Sequence, residues 1–288
     1  MKKLYFVFTV LLLACSCKTL APSGDSGTEA GDYYRLASVV GQWNDESPER
    51  FFMSSVYTED SRTGRTLLES FNYGETTLRY VYALPSFLYI YEDEAATYQI
   101  KLNADGLVSS VSRSEYNTTS YYEYDEASRL KKKTYQGTDR ECVCFNFSYS
   151  EDGNMKHIHV DYQYDNKPDE WECSIGYTDI PAKTAPLQIL DGDMFLEIFD
   201  TEEWALMEAG FFGDTFPNLL IQNLTETGLD GDMSVFSYKL DKNGYVSEMT
   251  MVNSCDDSTA PDVVTCNFTW EKSSAPSYAQ WHLNEKSL

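Results

Sequence analysis

The residues best suited to chemistry lie in one short run, His157-Ile158-His159-Val160-Asp161. In an extended segment, alternation puts His157, His159 and Asp161 on one face. Imidazoles and a carboxylate at period two form a donor set for a divalent transition metal. The plainer reading is the solvated face of a half-buried strand, with Ile158, Val160 and Tyr162 turned inward, and no further ligand is in view nearby. Leu-Asp-Gly-Asp-Met occurs at 190–194 and again at 229–233. Paired carboxylates around a glycine can hold calcium, but Asp-Gly is also a preferred turn, and neither copy extends into a calcium loop.

Nucleophilic catalysis has little support. There is no Gly-x-Ser-x-Gly elbow, and 3 histidines leave few candidate bases. With 46 Asp and Glu, some pair of acids will face any cleft, so a carboxylate-pair glycosidase carries no distinguishing signal. The chain leans away from being an enzyme. No organic cofactor is expected, and a divalent cation is the one inorganic ligand these residues suit. Trp171, Trp204, Trp270 and strand tyrosines can supply contact area for a glycan, a peptide or a protein partner. Asp257-Ser258-Thr259 has the form of a short O-glycosylation acceptor and equally that of a polar loop.

The elements that must hold these residues are announced by repetition. Tyr122-Glu123-Tyr124-Asp125-Glu126-Ala127-Ser128-Arg129-Leu130 reads as a strand end, a polar turn and a new strand. The device recurs around Asp105-Gly106, Asp152-Gly153 and Asn243-Gly244. Short alternating segments bounded by such turns are expected near 50–57, 67–73, 78–82, 87–91, 98–102, 107–112, 116–124, 130–135, 142–149, 155–164, 171–177, 219–224, 233–240, 245–252 and 263–270, with 33–43 as strand or short helix. One helix is expected over 193–213. Thr201 would cap it, Glu202 and Glu203 would suit its first turn, and Phe199, Trp204, Met207 and Phe211 fall near helical spacing. The fold class is mainly β: a curved antiparallel meander sheet or a partly open barrel-like shell, with one principal helix packed on or in it.

The N-terminus specifies an address. Lys2-Lys3 precede an apolar run too short to span a bilayer, and Leu12-Leu13-Ala14-Cys15 resembles a bacterial lipobox. Residues 1–14 are read as a signal peptide, with Cys15 as the acylated residue and Cys17 as the alternative. Residues 15–31 are a flexible tether, and 32–288 a single mainly β domain. Neither cysteine is followed by Asp, which favours the outer membrane, on either its periplasmic or its external face. A net charge of −24 repels phosphate backbones and excludes nucleic acid as a partner. Among the remaining cysteines, Cys255 and Cys266 can bridge across a loop. Cys142 and Cys144 share a strand face and are poorly placed to bond each other. Buried free thiols are expected for at least two of the five.

Four stretches carry a resemblance. They are Tyr162-Gln163-Tyr164-Asp165-Asn166-Lys167-Pro168; Ile175-Gly176-Tyr177; Ala209-Gly210-Phe211-Phe212-Gly213 with Phe216-Pro217-Asn218-Leu219; and Phe236 to Tyr245. Together they resemble a family of uncharacterised lipoproteins of Bacteroides-type bacteria with a porin-like fold, over roughly 98–270. The turns are also similar to Tyr-Asp repeats. The resemblance implies a fold and brings no activity or catalytic residues. A membrane-spanning barrel needs an apolar outer band, which a mean hydropathy of −0.44 and acidic strands oppose. The sequence therefore reads as a lipid-anchored envelope or surface protein that binds a glycan, peptide or protein partner without catalysis. The alternatives are a hydrolase using acids or a metal, and a structural accessory of an envelope complex.

Overall fold

The computed structural model describes residues 33–43, 50–60, 65–83, 86–92, 95–138, 141–164, 167–181, 199, 203, 206–207, 210–213, 219–227, 233–254 and 261–273. In chain order the strands are β1 (Tyr33–Trp43), β2 (Arg50–Asp60), β3 (Arg65–Tyr73), β4 (Thr76–Ala83), β5 (Phe87–Glu92), β6 (Ala95–Leu102), β7 (Val108–Arg113) and β8 (Thr118–Tyr124). They continue as β9 (Leu130–Gln136), β10 (Cys142–Tyr149), β11 (Met155–Tyr164), β12 (Lys167–Pro181), β13 (Leu219–Thr227), β14 (Met233–Leu240), β15 (Val246–Ser254) and β16 (Asp262–Ser273). Each strand pairs with the next, and β1 pairs antiparallel with β16, closing the barrel.

Closure corrects the expected partly open shell. The ends of β1 and β16 match over ten register pairs, from Tyr33–Ser273 to Trp43–Val264, so no sheet edge is left there for another chain to pair with. The expected helix over 193–213 lies mostly outside the described residues. Glu203, Leu206 and Met207 have helical backbone, but no helix is delimited among the described residues.

Every strand has one buried face. The single long connection, 182–218, is far too short to cover the outside of sixteen strands, so that face is the lumen. Its residues, from Leu36 and Val39 on β1 to Val264, Cys266 and Phe268 on β16, form one apolar cluster. Phe199, Leu206, Met207, Phe211 and Phe212 of the long connection belong to the same cluster. Porins of this strand number hold a water channel; here, among the described residues, mostly apolar side chains line the inside.

Four hairpins share one turn geometry. The side chain of Asn103, Asp125 or Asp241 accepts backbone N–H bonds two and four residues on, at 2.8–2.9 Å. At the fourth, Ser150 N–H donates to the Asn154 carbonyl at 2.8 Å. Position i+3 is left-handed in all four: Gly106, Gly153, Gly244 and, in the Asp125 turn, Ser128 at φ 63°. Each following strand opens with a bulge, so its first two inward residues are three apart: Val108 and Val111, Leu130 and Lys133, Met155 and Ile158, Val246 and Met249. The carbonyl at the bulge is taken by an aromatic donor from the next strand. Tyr124 donates to Val108 (2.8 Å), Tyr149 to Leu130 (2.8 Å), Trp270 to Val246 (2.7 Å), and Tyr177 to Met155. Burial, first of all, raises the Tyr124 phenol well above its ordinary value, and the charges of Tyr149 and Glu203 add to the rise.

Candidate functional site

Alternation on β8–β12 produces two parallel rows, one inside and one outside. The inner row is Tyr122, Lys133, Phe145, Val160 and Trp171. The outer row is Glu123, Lys132, Asn146, His159 and Glu172.

The inner row carries one charge. Lys133 is only 3% exposed, and its Nζ lies 2.7 Å from Glu203 Oε2, itself 1% exposed. Tyr122 donates its phenol to the other Glu203 oxygen. The rings of Tyr122, Phe145 and Phe199 surround the ammonium at 5.2–5.9 Å. The long connection is therefore pinned to the wall by a dry, hydrogen-bonded ion pair. It is pinned again where Val108 N–H donates to the Phe211 carbonyl at 2.8 Å. At Gly213, in left-handed backbone, a side chain would collide with the Ser128 carbonyl.

The outer row and its neighbours hold the residues expected to do chemistry. His157, His159 and Asp161 share the outer face as anticipated, and β12 adds two carboxylates that no spacing within β11 could reveal. Glu170 is the direct cross-strand partner of Asp161, and Glu172 that of His159. His159 Nε2 lies 3.2 Å from Asp161 Oδ1, and its Nδ1 lies 3.4 Å from Glu172 Oε1. His157 Nε2 lies 3.3 Å from the other Glu172 oxygen. Asn146 donates to Asp161 Oδ2 at 3.2 Å. Ligand atoms, one each from His159, Asp161 and Glu170, lie within 4.8 Å of one another.

The tryptophans are dispersed. Trp171 faces the lumen and is buried. Trp270 is half-buried, its ring tilted at 42° to Tyr245 with centroids 5.5 Å apart, and Trp204 lies outside the described residues. A ligand meeting the outer wall would touch other rings: Tyr121 and Phe52, exposed at 45% and 49%, and Tyr91, which stacks on Arg79 at 4.7 Å. Cys142, Cys144, Cys173 and Cys266 are free. The Cys255–Cys266 bridge that the sequence allowed is thus not formed: Cys266 sits in an inward row between Gly41 and Met249, where burial raises its thiol far above the ordinary value. Burial, then the neighbouring Cys144, also raises Cys142. Cys15, Cys17, Cys255, the 190–194 copy, Asp257, Ser258 and Thr259 lie outside the described residues, as does all of the 229–233 copy except Met233.

No protein-family model and no curated protein sequence matches the chain. Among the crystal structures that resemble it are two, each described as a porin-like protein. One, from Bacteroides vulgatus, has a TM-score of 0.51 at 12% identity and covers 81% of this chain and 97% of its own. The other, from Bacteroides uniformis, has a TM-score of 0.42 at 16% identity, covering 82% and 96%. The likeness is one of fold. A porin-like fold is what the four stretches implied; the lipoprotein family itself is not among the matches.

Proposed function

We propose that this chain is a non-conducting barrel of the outer membrane, held by an acyl group on Cys15, or on Cys17 in the alternative frame. On this reading it has no catalytic role and presents its outer wall to a glycan, a peptide or another envelope protein. One observation carries the reading: the polarity of the wall is opposite to that of a spanning barrel. Inward positions are mostly apolar and form one cluster with Phe199, Leu206, Met207, Phe211 and Phe212 of the long connection. Outward positions across β6–β12 include Lys101, Glu123, Lys132, His159, Asp161 and Glu172. At the midplane a lysine costs about 2–4 kcal/mol and a carboxylate less, and an apolar band with aromatic girdles would replace them in a spanning wall. Apolar residues on the outside, such as the Val40–Phe52 pair, Val56 and Val235, lie on β1, β2 and β14 and do not continue across β6–β12 as a band.

Topology supports an orientation. With an even number of strands, both termini leave from the end that carries the four tight turns and the long connection. A tether from Cys15 would bring that end toward the bilayer and leave the outer wall and the far end free. The outward tyrosines and Phe52, beside small and polar neighbours such as Ser110 and Ser54, offer the flat amphipathic contact that sugars and peptides use. Two measurements test the reading. The protein should incorporate labelled palmitate in a cell that processes lipoproteins and lose the label in Cys15→Ser, or in Cys17→Ser for the alternative frame. Added to planar bilayers, the purified barrel should give no conductance steps; stable channels would overturn the packed-lumen reading.

A further inference from the structure

We infer that the outer face of β11 and β12 is a binding site for one divalent transition cation, with Zn²⁺ as the best match. The ligands are His159, Asp161 and Glu170, oriented by Glu172 and His157.

Two features ask for a positive charge at this point. A neutral imidazole has one N–H, yet both nitrogens of His159 face carboxylates, at 3.2 Å and 3.4 Å. If Nδ1–H donates to Glu172, the Nε2 lone pair is aimed at Asp161, and the contact is made favourable by a second ring proton or by a cation held at Nε2. Asp161 and Glu170 are also directly opposed across the β11–β12 ladder, and like charges in that position repel. A cation at the convergence of Nε2 and the two carboxylates relieves both. The three donor atoms already lie within 4.8 Å of one another, so modest side-chain rotation brings them to ordinary coordination distances.

The surroundings have the form that metal sites need. A ligating histidine donates its other N–H to a carboxylate, which fixes the ring; Glu172 occupies that place, and its second oxygen meets His157 at 3.3 Å. Asn146 holds the far oxygen of Asp161 at 3.2 Å. One nitrogen and two oxygens with open positions for water suit Zn²⁺ or Mn²⁺, whereas Ca²⁺ wants six to eight oxygens. None of this depends on the lipid anchor or on the outer-wall partner.

The test uses the mature-length chain with its N-terminal cysteines replaced, stripped with EDTA, and titrated with Zn²⁺ by calorimetry. Circular dichroism checks the fold of each variant. One equivalent should bind. His159→Ala and Glu170→Gln should abolish binding, and Glu172→Gln should weaken it by roughly 10- to 100-fold, as loss of an orienting partner does. Because Cys144 is the other cross-strand neighbour of Asp161, a Cys142→Ser/Cys144→Ser variant should bind unchanged, and X-ray absorption should show nitrogen and oxygen neighbours only. Zinc–sulfur scattering, or binding that survives His159→Ala, would overturn the assignment, as would no binding at zinc concentrations of about 100 μM.

Discussion

The inner and outer faces of β8–β12 use the same ingredients in opposite settings. Inside, Lys133 and Glu203 meet at 2.7 Å with exposures of 3% and 1%. Outside, His157 and Glu172 meet at 3.3 Å with exposures of 28% and 52%. Coulomb attraction scales inversely with the local dielectric, and so does the cost of stranding one partner. The inner pair therefore cannot lose either member cheaply, while the outer groups are held loosely and remain available to solutes. The other three tight hairpins teach what the inner pair is for. Their position equivalent to Lys133 holds Val111, Ile158 or Met249, so an apolar residue fills this place perfectly well. The charge at Lys133 selects one seat for the long connection more than it holds the wall together.

The largest expected effect breaks that pair. Lys133→Met leaves the Glu203 carboxylate dry and without its cation, and should cost about 3–5 kcal/mol in denaturant unfolding. Lys133→Met with Glu203→Leu should recover most of it, because both uncompensated charges are gone and the site becomes like its three counterparts. A double variant as unstable as the single one would show that the pair itself stabilises the barrel, and would sink the seating role. Gly213→Ala comes next. A side chain there meets the Ser128 carbonyl in a backbone conformation that disfavours any Cβ, and a loss of about 1–3 kcal/mol is expected. Faster proteolysis of the long connection, with strand signals intact, would locate the damage there.

These strands were largely legible in advance; the relations between them were not. All fifteen segments expected as strands are strands, and 33–43, open between strand and short helix, is β1, because alternation and Asx-type turns are local properties that tertiary contacts did not override. Closure was hidden, since nothing in the residues of β1 or β16 names the partner it will find after the chain has gone round. Lys133 was hidden by the bulge. Parity counted from Leu130 puts Lys132 inside and Lys133 outside, whereas the extra residue after the turn reverses both. The metal donors were half legible: period two announced His157, His159 and Asp161, but Glu170 and Glu172 join them only through the β11–β12 register. Trp171 follows a related rule: the inward parity of β12 turns it into the lumen, where it packs.

The turn at Asp125 gives a smaller, pH-dependent effect. Burial works to raise its carboxyl, but the Arg129 amide and guanidinium and the Ala127 amide outweigh it and hold the group below the usual carboxylate range. A depressed carboxyl contributes stability above its unfolded value near 3.9, and that contribution fades as pH falls through the folded value. Melting temperatures measured from about pH 5 down to pH 2 should therefore fall less steeply for Asp125→Asn than for the parent. In the same turn, Ser128→Gly places the residue found in the other three hairpins at φ 63° and should add about 0.5 kcal/mol.

The smallest effect has the opposite sign from the first. In EDTA and low salt, Glu170→Gln removes one of two carboxylates opposed across β11 and β12, so the barrel should gain up to about 0.5 kcal/mol. The gain should shrink as ionic strength rises, because exposed charges are screened over about 10 Å at 0.1 M salt. Zinc should reverse the order, stabilising the parent chain and leaving Glu170→Gln unmoved, since only a folded site can gain from binding. Removing a charge from the inner face thus weakens the barrel, and removing one from the outer face strengthens it. If Glu170→Gln instead destabilises the metal-free protein, the outer carboxylates are structural supports, and the contrast between the two faces disappears.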